Sequence, residues 1–204
     1  MVRAVLRIVG FEVKGLAAIA AWIVRRRHGV PDGETALAYG KEQAFMLGLM
    51  GFAMAVETVV VDLLLAALGV PAWLRYGVLI ADLYGLLYVL MLAAGCATRP
   101  HVVTADELRV RYSVYLDLRV PRDLVAGVRT GRAYHQGGMI TVEGGRLTVA
   151  VSSQTNVTVE LAEPVTVVRP LGRRAEVTSI RFFAQDPEAA VAALKPGITT
   201  RTNS

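Results

Sequence analysis

The sequence has very few of the residues from which metal and redox sites are built. It contains one cysteine and three histidines among 204 residues. The single Cys96 excludes an internal disulfide and a cysteine-rich zinc site, and we expect it to be a small packing residue. His28, His101 and His135 are not spaced as metal ligands on a helix, so we expect them at the surface or at an interface. We therefore predict no metal and no cofactor.

Recognisable catalytic motifs are also missing. Ser152 and Ser153 are not part of a Gly-x-Ser-x-Gly elbow, and Gly137-Gly138 has no phosphate-loop lysine beside it. The glycosylation sequon at Asn156 has no meaning if this part of the chain is cytoplasmic. No nucleophile, base and orienting group can be proposed together. We predict no catalytic residues, and an enzyme in its own right is the least supported class.

What the chain has in excess is apolar sequence. Hydrophobic residues make up 54% of it, above the roughly 45–50% of soluble domains. The excess is concentrated in two runs, Ala44 to Val70 and Tyr76 to Thr98. Each run exceeds the roughly 20 residues with which a helix crosses a bilayer. Because Pro71 leaves room only for a tight reversal, residues 43–98 predict a transmembrane helical hairpin.

Basic residues flank these runs unevenly. Those before the first run are Arg3, Arg7, Lys14, Arg25, Arg26, Arg27 and Lys41. Between the runs lies Arg75, and the second run is followed by Arg99, Arg109 and Arg111. Since short cytoplasmic flanks are rich in Lys and Arg, this distribution predicts that both termini lie in the cytoplasm, with the hairpin in a bacterial cytoplasmic membrane.

Residues 1–30 predict an amphipathic helix that lies on the membrane surface. Arg3, Arg7 and Lys14 fall on one stripe, and apolar residues cover much of the rest. We expect anionic lipid headgroups of the inner leaflet to contact Arg3, Arg7, Lys14, Arg25, Arg26 and Arg27. This segment accounts for the net charge of +5, so we predict no nucleic-acid partner. Residues 31–42 are predicted to be a linker.

After residue 99 the apolar period changes from helical to two. Alternating segments around Leu108, Leu118, Val142, Val149, Val159 and Ile180 predict six or seven antiparallel strands. Gly144-Gly145 predicts a two-residue hairpin turn. The piece from Val165 to Arg169 lies between two prolines and is predicted to be an edge strand or a loop.

A short helix follows the strands. Asp186, Pro187 and Glu188 supply an N-cap, a proline at the first helical position and an acid in the first turn. The predicted fold is an α+β membrane protein in which residues 99–197 form a small antiparallel barrel or pair of packed sheets, capped by this helix. Residues 198–204 are predicted to be a disordered tail.

This order resembles bacterial pleckstrin-homology-like (PH-like) domains beside membrane spans. The whole chain is similar to a group of uncharacterised actinobacterial two-span membrane proteins that carry such a domain. The residues that carry the likeness are Arg99 to Val103, Leu108 to Tyr112, Val120 to Asp123, Gln154 to Val157, and Asp186-Pro187. The resemblance implies a fold and a scaffolding or binding role, without catalytic residues.

Three carboxylates lie within the apolar runs. Asp62 and Asp82 each lie seven residues from the outer ends of their helices, a depth of roughly 10 Å. They predict either a shared proton or cation site, or a structural arrangement in which one is protonated or Asp82 reaches Arg75. Glu57 lies deeper and on another face, which predicts a contact with a second copy or a larger membrane partner.

Two loops of the soluble part carry arginines. Arg129 and Arg132, with Arg173 and Arg174, predict a basic surface for lipid headgroups or an acidic partner, or simply a solvated surface. The sequence as a whole favours a non-enzymatic, membrane-anchored scaffold that binds a protein partner or a lipid surface, as part of an oligomer. The alternative is an accessory subunit of a transporter or membrane enzyme, in which Glu57, Asp62 and Asp82 handle protons or cations.

Overall fold

The computed structural model divides the chain into two compact units. It describes residues 2–26, 29–31, 33–135, 137–170 and 172–195, and for residues 2–7 the backbone alone. The helical unit comprises Met1–Gly29, Tyr39–Pro100 and Arg111–Leu116, and the β unit comprises Val30–Ala38, His101–Val110 and Asp117–Ser204. Arg27, His28 and the predicted tail at 198–204 lie outside the described residues.

Two long helices of the helical unit correspond to the apolar runs. They are α2, Gly40–Ala67, and α3, Ala72–Thr98, and both are long and apolar enough to cross a membrane. Only 11% of the most apolar window of α2 and 22% of that of α3 are buried. A core helix of a soluble protein would be mostly buried, so these helices present apolar side chains outward. The prediction of two apolar, span-length helices is confirmed.

The reversal between α2 and α3 is tight, as predicted. Gly69 adopts a φ of +66°, a left-handed conformation that glycine tolerates without a Cβ clash. Pro71 then precedes the first turn of α3, with a φ of −52°. Within α2, the buried side chains are Gln43, Leu47 and Thr58.

The N-terminal helix α1, Val2–Ile23, packs lengthwise along α3 instead of lying on a membrane surface. Glu12 accepts a hydrogen bond from Tyr84, a Cβ on Gly15 would lie 2.5 Å from Met91 Sδ, and Ala18 packs with Ala94. Residue numbers rise together along both helices, so α1 runs parallel to α3. A helix lying flat would cross a spanning helix at one point, and could not follow it along these turns. The hydrogen bond also explains why Glu12 interrupts the apolar pattern.

Nine strands are described, in two sheets. The four-stranded sheet has the order β1 to β4, formed by Thr35–Leu37, His101–Val103, Glu107–Tyr112 and Leu116–Pro121. The segment 31–42, predicted as a linker, thus contains β1 and the first residues of α2. Residues 111–116, which include the turn between β3 and β4, belong to the helical unit.

The five-stranded sheet has the order β5-β8-β9-β7-β6. Its strands are β5, Val125–Tyr134; β6, Ile140–Glu143; β7, Arg146–Val149; β8, Gln154–Val168; and β9, Arg174–Phe182. Strands β7 and β9 are parallel, which the prediction of antiparallel strands missed. The sheets do not close into a barrel among the described strands, so the fold is α+β, and its five-stranded sheet is mixed.

Rows of cross-strand neighbours form the core of the β unit. Leu147, Ile180 and Val159 face one another across three strands, and each has an exposure of 0%. These are the positions at which the sequence alternates, because one face of the sheet is buried.

Two local features of the β unit were predicted from turn residues and prolines: the turn between β6 and β7, and the segment from Val165. Gly144 and Gly145 have φ values of +55° and +72° and join β6 to β7 as predicted. Of the two alternatives for the piece from Val165, the edge strand describes it better than the loop: it belongs to β8 and pairs with β9 at Val177, while the pairing of β8 with β5 ends at Leu161. Pro164 is tolerated because it lies in a register shift between Glu160 and Val165, where a ladder hydrogen bond is not needed.

The C-terminal helix α4, Pro187–Leu194, packs against β1, β5 and β8. Its predicted N-cap is confirmed, since the Asp186 side chain accepts a hydrogen bond from the Ala189 N–H. At the other end the Arg122 guanidinium donates to the carbonyls of Ala193 and Lys195. A cation bonded to the last carbonyls of a helix stabilises its C-terminus.

The buried Asn156 side chain binds the backbone of Ala184, two residues after β9 ends. Asn156 is 9% exposed; its amide donates to the Ala184 carbonyl at 2.7 Å and its side-chain oxygen accepts from the Ala184 N–H at 2.8 Å. The sequon asparagine is therefore a structural residue whose nitrogen is already bonded.

Replacing Asn156 with Ala should lower stability by about 2–4 kcal/mol, because it leaves both polar groups of Ala184 buried without these partners. The thermal unfolding midpoint of the purified chain measures the loss. Thr166→Ala, an exposed polar-to-alanine change on the same strand, should leave the midpoint nearly unchanged. Equal midpoints for the two variants would contradict the role given to Asn156.

Candidate functional site

The outer end of the helical hairpin is held by an ion pair. Arg75, in the first turns of α3, donates Nε to Asp62 Oδ1 and Nη2 to Asp62 Oδ2, both at 2.6 Å. Their side chains are 34% and 25% exposed. The structure thus joins Asp62 to a cation on the neighbouring helix, whereas sequence reasoning had considered a pair with Asp82. Asp82 lies half-buried on α3.

The deeper carboxylate lies on the outside of the unit. Glu57 is exposed, while its neighbour Thr58 is 8% exposed and donates its hydroxyl to the Met54 carbonyl. On α3, a Cβ added to Gly85 would meet the Met54 side chain, whereas nothing lies within 4 Å of a Cβ added to Gly77. Glu57 therefore points away from the contact between α2 and α3.

A buried polar network occupies the opposite end of the helices. The Gln43 amide nitrogen donates to the Tyr112 hydroxyl at 2.9 Å, and that hydroxyl lies 3.0 Å from Gln43 Oε1. The Tyr39 hydroxyl accepts a hydrogen bond from the Ser113 N–H at 2.8 Å. Tyr39 and Tyr112 are 0% and 1% exposed. Sequence reasoning missed this network because the partners are far apart in sequence.

Burial fixes the charge state of these phenols. Removal from water raises the pKa of Tyr39 well above its usual value, with a further contribution from Cys96, and burial likewise raises the pKa of Tyr112. Both hydroxyls therefore stay protonated at neutral pH and serve as neutral hydrogen-bond partners. Cys96 is 3% exposed, with Sγ 3.9 Å from Gln43 Oε1, so it is a packed thiol.

Residues 111–116 form a turn, which we call the docked turn, and it contacts α3 at Gly95. Ser113 has a φ of +47°, which is strained for a serine. A Cβ on Gly95 would overlap Ser113 Oγ and would lie 3.2 Å from Ser113 Cα. Gly95 thus permits the close approach that lets the Ser113 N–H reach Tyr39.

Further contacts fix both ends of the docked turn. Arg111 has an exposure of 0% and donates to the carbonyls of Gly29 and Pro100. Val114 packs with Ala18 and Ala94, and the Tyr115 ring lies 5.2 Å from that of Phe11 between centroids. Apolar and polar contacts together make the docked turn a buried part of the helical unit.

The cations predicted to meet lipid headgroups are exposed where the structure describes them. Lys14, Arg25 and Arg26 are exposed on or just after α1. The side chains of Arg3 and Arg7 lie outside the described set, as does Arg27.

The arginines predicted to form one basic surface are separated by the sheet register. Arg129 and Arg132 are exposed on β5, and Arg129 pairs with Glu160 at 3.0 Å. Arg129 lies opposite Thr158 of β8, whereas Arg174 lies opposite Val168. This offset corresponds to roughly 30 Å along an extended strand, so Arg173 and Arg174 belong to a different part of the surface.

The two described histidines differ in environment. His101 has an exposure of 0%, with Nε2 3.1 Å from the Phe183 carbonyl. The expectation of a surface or interfacial histidine was therefore wrong for His101, because its ring fills the core beside Phe182. His135 is half-buried near Thr155, and burial, then Arg181 and Arg146, lower its pKa.

No three His, Cys, Asp or Glu side chains of the described residues come together as a metal site. No family model, no curated protein and no solved structure matches this chain. Its site therefore has to be interpreted from its own geometry.

Gly95→Ala should lower the unfolding midpoint of the purified chain, because the new methyl group displaces Ser113, at a cost of about 1–3 kcal/mol. Gly77→Ala is the matched control on the same helix, since nothing lies within 4 Å of its added Cβ. The control should be neutral or stabilising by up to about 1 kcal/mol. A midpoint for Gly95→Ala at or above that of Gly77→Ala would show that the docked turn does not need this close approach.

Proposed function

We propose that this protein is a non-enzymatic, membrane-anchored scaffold in a bacterial cytoplasmic membrane, with its C-terminus in the cytoplasm. The predicted cytoplasmic N-terminus does not fit this arrangement, because α1 runs parallel to α3 from the level of Tyr84 to that of Ala94 and would therefore begin on the outer side. In this proposal α2 and α3 cross the bilayer, and the β unit, a PH-like domain, binds a protein partner or a lipid surface. The observation that carries it is the outward-facing apolar surface of α2 and α3. Phe45, Phe52 and Ile80 are 76%, 68% and 68% exposed.

Exposed apolar side chains on this scale need a cover other than water. Each large apolar side chain left in water forgoes about 1.5–3 kcal/mol of burial free energy, and the exposed residues continue along both helices. Lipid covers such a surface without further folding. Basic flanks favour the cytoplasmic side of a membrane. The C-terminal ends of α1 and α3, which are followed by Arg25, Arg26 and Arg99, are therefore placed on that side.

A protein contact in the membrane is supported by Glu57. A carboxylate exposed on an apolar helix is costly in lipid unless a neighbouring chain supplies a donor or a polar cavity. The proposed scaffold therefore assembles in the membrane, as a homo-oligomer or with a larger membrane protein, through the face of α2 that carries Glu57.

A second contact surface is supported on the β unit. Tyr134 at the end of β5 is 72% exposed, and Met139 is 45% exposed. Arg132 is exposed on the same strand as Tyr134. Tyr, Met and Arg are enriched at protein interfaces, which favours a protein partner there.

The anchoring part of the proposal is tested by extraction and topology. The chain should stay in the membrane pellet after an alkaline carbonate wash. A fluorescent protein fused after residue 204 should be active, and alkaline phosphatase inserted after Gly69 should also be active because that enzyme works only outside the cytoplasm. A soluble chain, or the reverse reporter pattern, would contradict the proposed anchor.

The scaffold part is tested by assembly size in mild detergent. Glu57→Gln should reduce the assembly, because an amide cannot replace a carboxylate paired with a donor. Tyr134→Ser should reduce it only if the contact lies on the β unit. Lys41→Gln, a charge change at an exposed site near the start of α2, serves as the control. Unchanged size in both test variants would remove the support for a scaffold.

A further inference from the structure

The five-stranded sheet has a second face, opposite the core, and an arginine lies at its centre. Ile180 of β9 faces the core with an exposure of 0%, and successive residues of a strand point to opposite faces of a sheet. Arg181 therefore lies on the second face, which we call the polar face. Its cross-strand neighbours are Thr148 of β7 and Thr158 of β8. Since β9 is the middle strand of the sheet, strands flank this arginine on both sides.

The charge of Arg181 is not matched within the described part of the chain. Its Nε is buried and has no hydrogen-bond partner among the described residues, and its guanidinium forms no ion pair with them. The residue is half-buried. A buried donor without a protein partner costs free energy unless something else binds it. The middle of the polar face thus carries a fixed cation that the described chain leaves unneutralised.

A second arginine lies diagonally beside the first. Arg146 of β7 is opposite Ser179, which lies two positions before Arg181 on β9 and so on the same face. Arg146 is exposed, and its Nε donates to the Ser179 hydroxyl at 3.3 Å. Glu143 lies opposite Arg146 in the register of β6 and β7, but the two form no ion pair in the described structure. Like charges side by side on a sheet repel each other, so this arrangement favours an anion between the two guanidinium groups.

His135 shows the sign of the electrostatic field around these arginines. It follows β5, is half-buried, and has Nε2 3.0 Å from the Thr155 hydroxyl. Burial lowers the pKa of His135, the positive charges of Arg181 and Arg146 lower it further, and Glu143 acts in the opposite direction with a smaller effect. The imidazole therefore lies close to both arginines, in a field that is positive even beside Glu143.

The other charges of the polar face favour a compact anion over an extended anionic surface. Two acids, Glu143 and Glu160, flank the arginines, and Glu160 already pairs with Arg129 at 3.0 Å. These acids repel a continuous negative surface, such as a nucleic-acid backbone or an anionic membrane. A single phosphate group fits between two guanidinium groups, because each guanidinium presents paired N–H donors that match phosphate oxygens.

We propose that Arg181 and Arg146 form a binding site for the phosphate group of a small water-soluble molecule, with His135 at the edge of the site. The inference goes beyond the proposed anchor and scaffold, because all three residues belong to the β unit. It also differs from the basic surface predicted from the sequence, since neither arginine is part of that surface. A lipid headgroup can carry the same phosphate chemistry, so the experiment includes one.

The experiment follows the histidine rings of the full chain by NMR in a non-ionic detergent, with inorganic phosphate and glycerol 3-phosphate as probes. The chain has three histidines, and the His135→Gln variant assigns the resonance of His135. We expect a saturable shift of this resonance with both phosphates but not with sodium chloride at equal ionic strength. Arg181→Gln should weaken phosphate binding at least about tenfold, since one charge and its charge-assisted hydrogen bonds are lost. No saturable shift in the parent chain, or equal affinity in Arg181→Gln, would overturn the proposal.

The matched control is Arg174→Gln, which removes the same charge from an exposed position at the start of the same strand. Its distance from Arg181 is roughly 23 Å along an extended strand, so it should change the affinity by less than about twofold. Diffuse attraction to a basic domain predicts that both variants lose the same affinity. That result would replace the proposed site with general electrostatic attraction.

A second variant guards against misfolding. Arg146 is exposed, so Arg146→Gln should keep the unfolding midpoint of the parent chain and still weaken phosphate binding severalfold. Unweakened binding in this folded variant would show that the two arginines do not act together, and the proposal would fail.

Phosphatidic acid added to the detergent micelles tests the lipid source. Shifts that depend on Arg181 and occur with phosphatidic acid, but not with glycerol 3-phosphate, would contradict a water-soluble ligand. The carbonate wash and the topology reporters separate this site from the proposed function. A chain that passes both tests and does not bind phosphate loses the phosphate site alone.

Discussion

The rest of the helical unit depends on removing the apolar surface of α2 and α3 from water. Once these helices are in a medium without water, their polar side chains have to find partners within the protein. The structure meets this requirement at both ends. Asp62 and Arg75 bind each other near the reversal, and Gln43 binds Tyr112 at the opposite end. Glu57 departs from this pattern because it is exposed on the outer side of α2.

The same requirement explains why the docked turn belongs to the helical unit. A turn has backbone groups that no ladder satisfies, and burying it is costly unless side chains supply the missing bonds. Tyr39 accepts from the Ser113 N–H, and Gly95 provides the space that this bond needs. The strained φ of Ser113 is tolerated because these contacts determine the position of the turn from several sides.

Features set by neighbouring residues could be predicted from the sequence. The two apolar helices, the Gly144-Gly145 turn and the Asp186 cap depend on composition or on residues a few positions apart. Strand β5 could not be predicted, because Gly127 and Gly131 interrupt its alternation and most of its residues are exposed. The parallel pairing of β7 with β9, and the packing of α1 along α3, depend on contacts between distant segments. The buried His101 escaped prediction for the same reason, since its partner Phe183 is 82 positions away.

At the candidate site, too, the sequence predicted which residues matter but not which of them are in contact. Sequence reasoning found the carboxylates of the apolar runs but not their partners, because helical depth places Asp62 level with Asp82, and Arg75 was considered only as a partner of Asp82. The bidentate ion pair identifies the partner of Asp62, since a guanidinium neutralises a carboxylate without requiring a second acid to hold a proton. A shared proton between the two aspartates thereby loses its main argument, while the alternative of an ion-handling subunit stays a prediction. What remains to be explained is Glu57, and an outward carboxylate on an apolar helix is better explained by a protein contact than by an ion path.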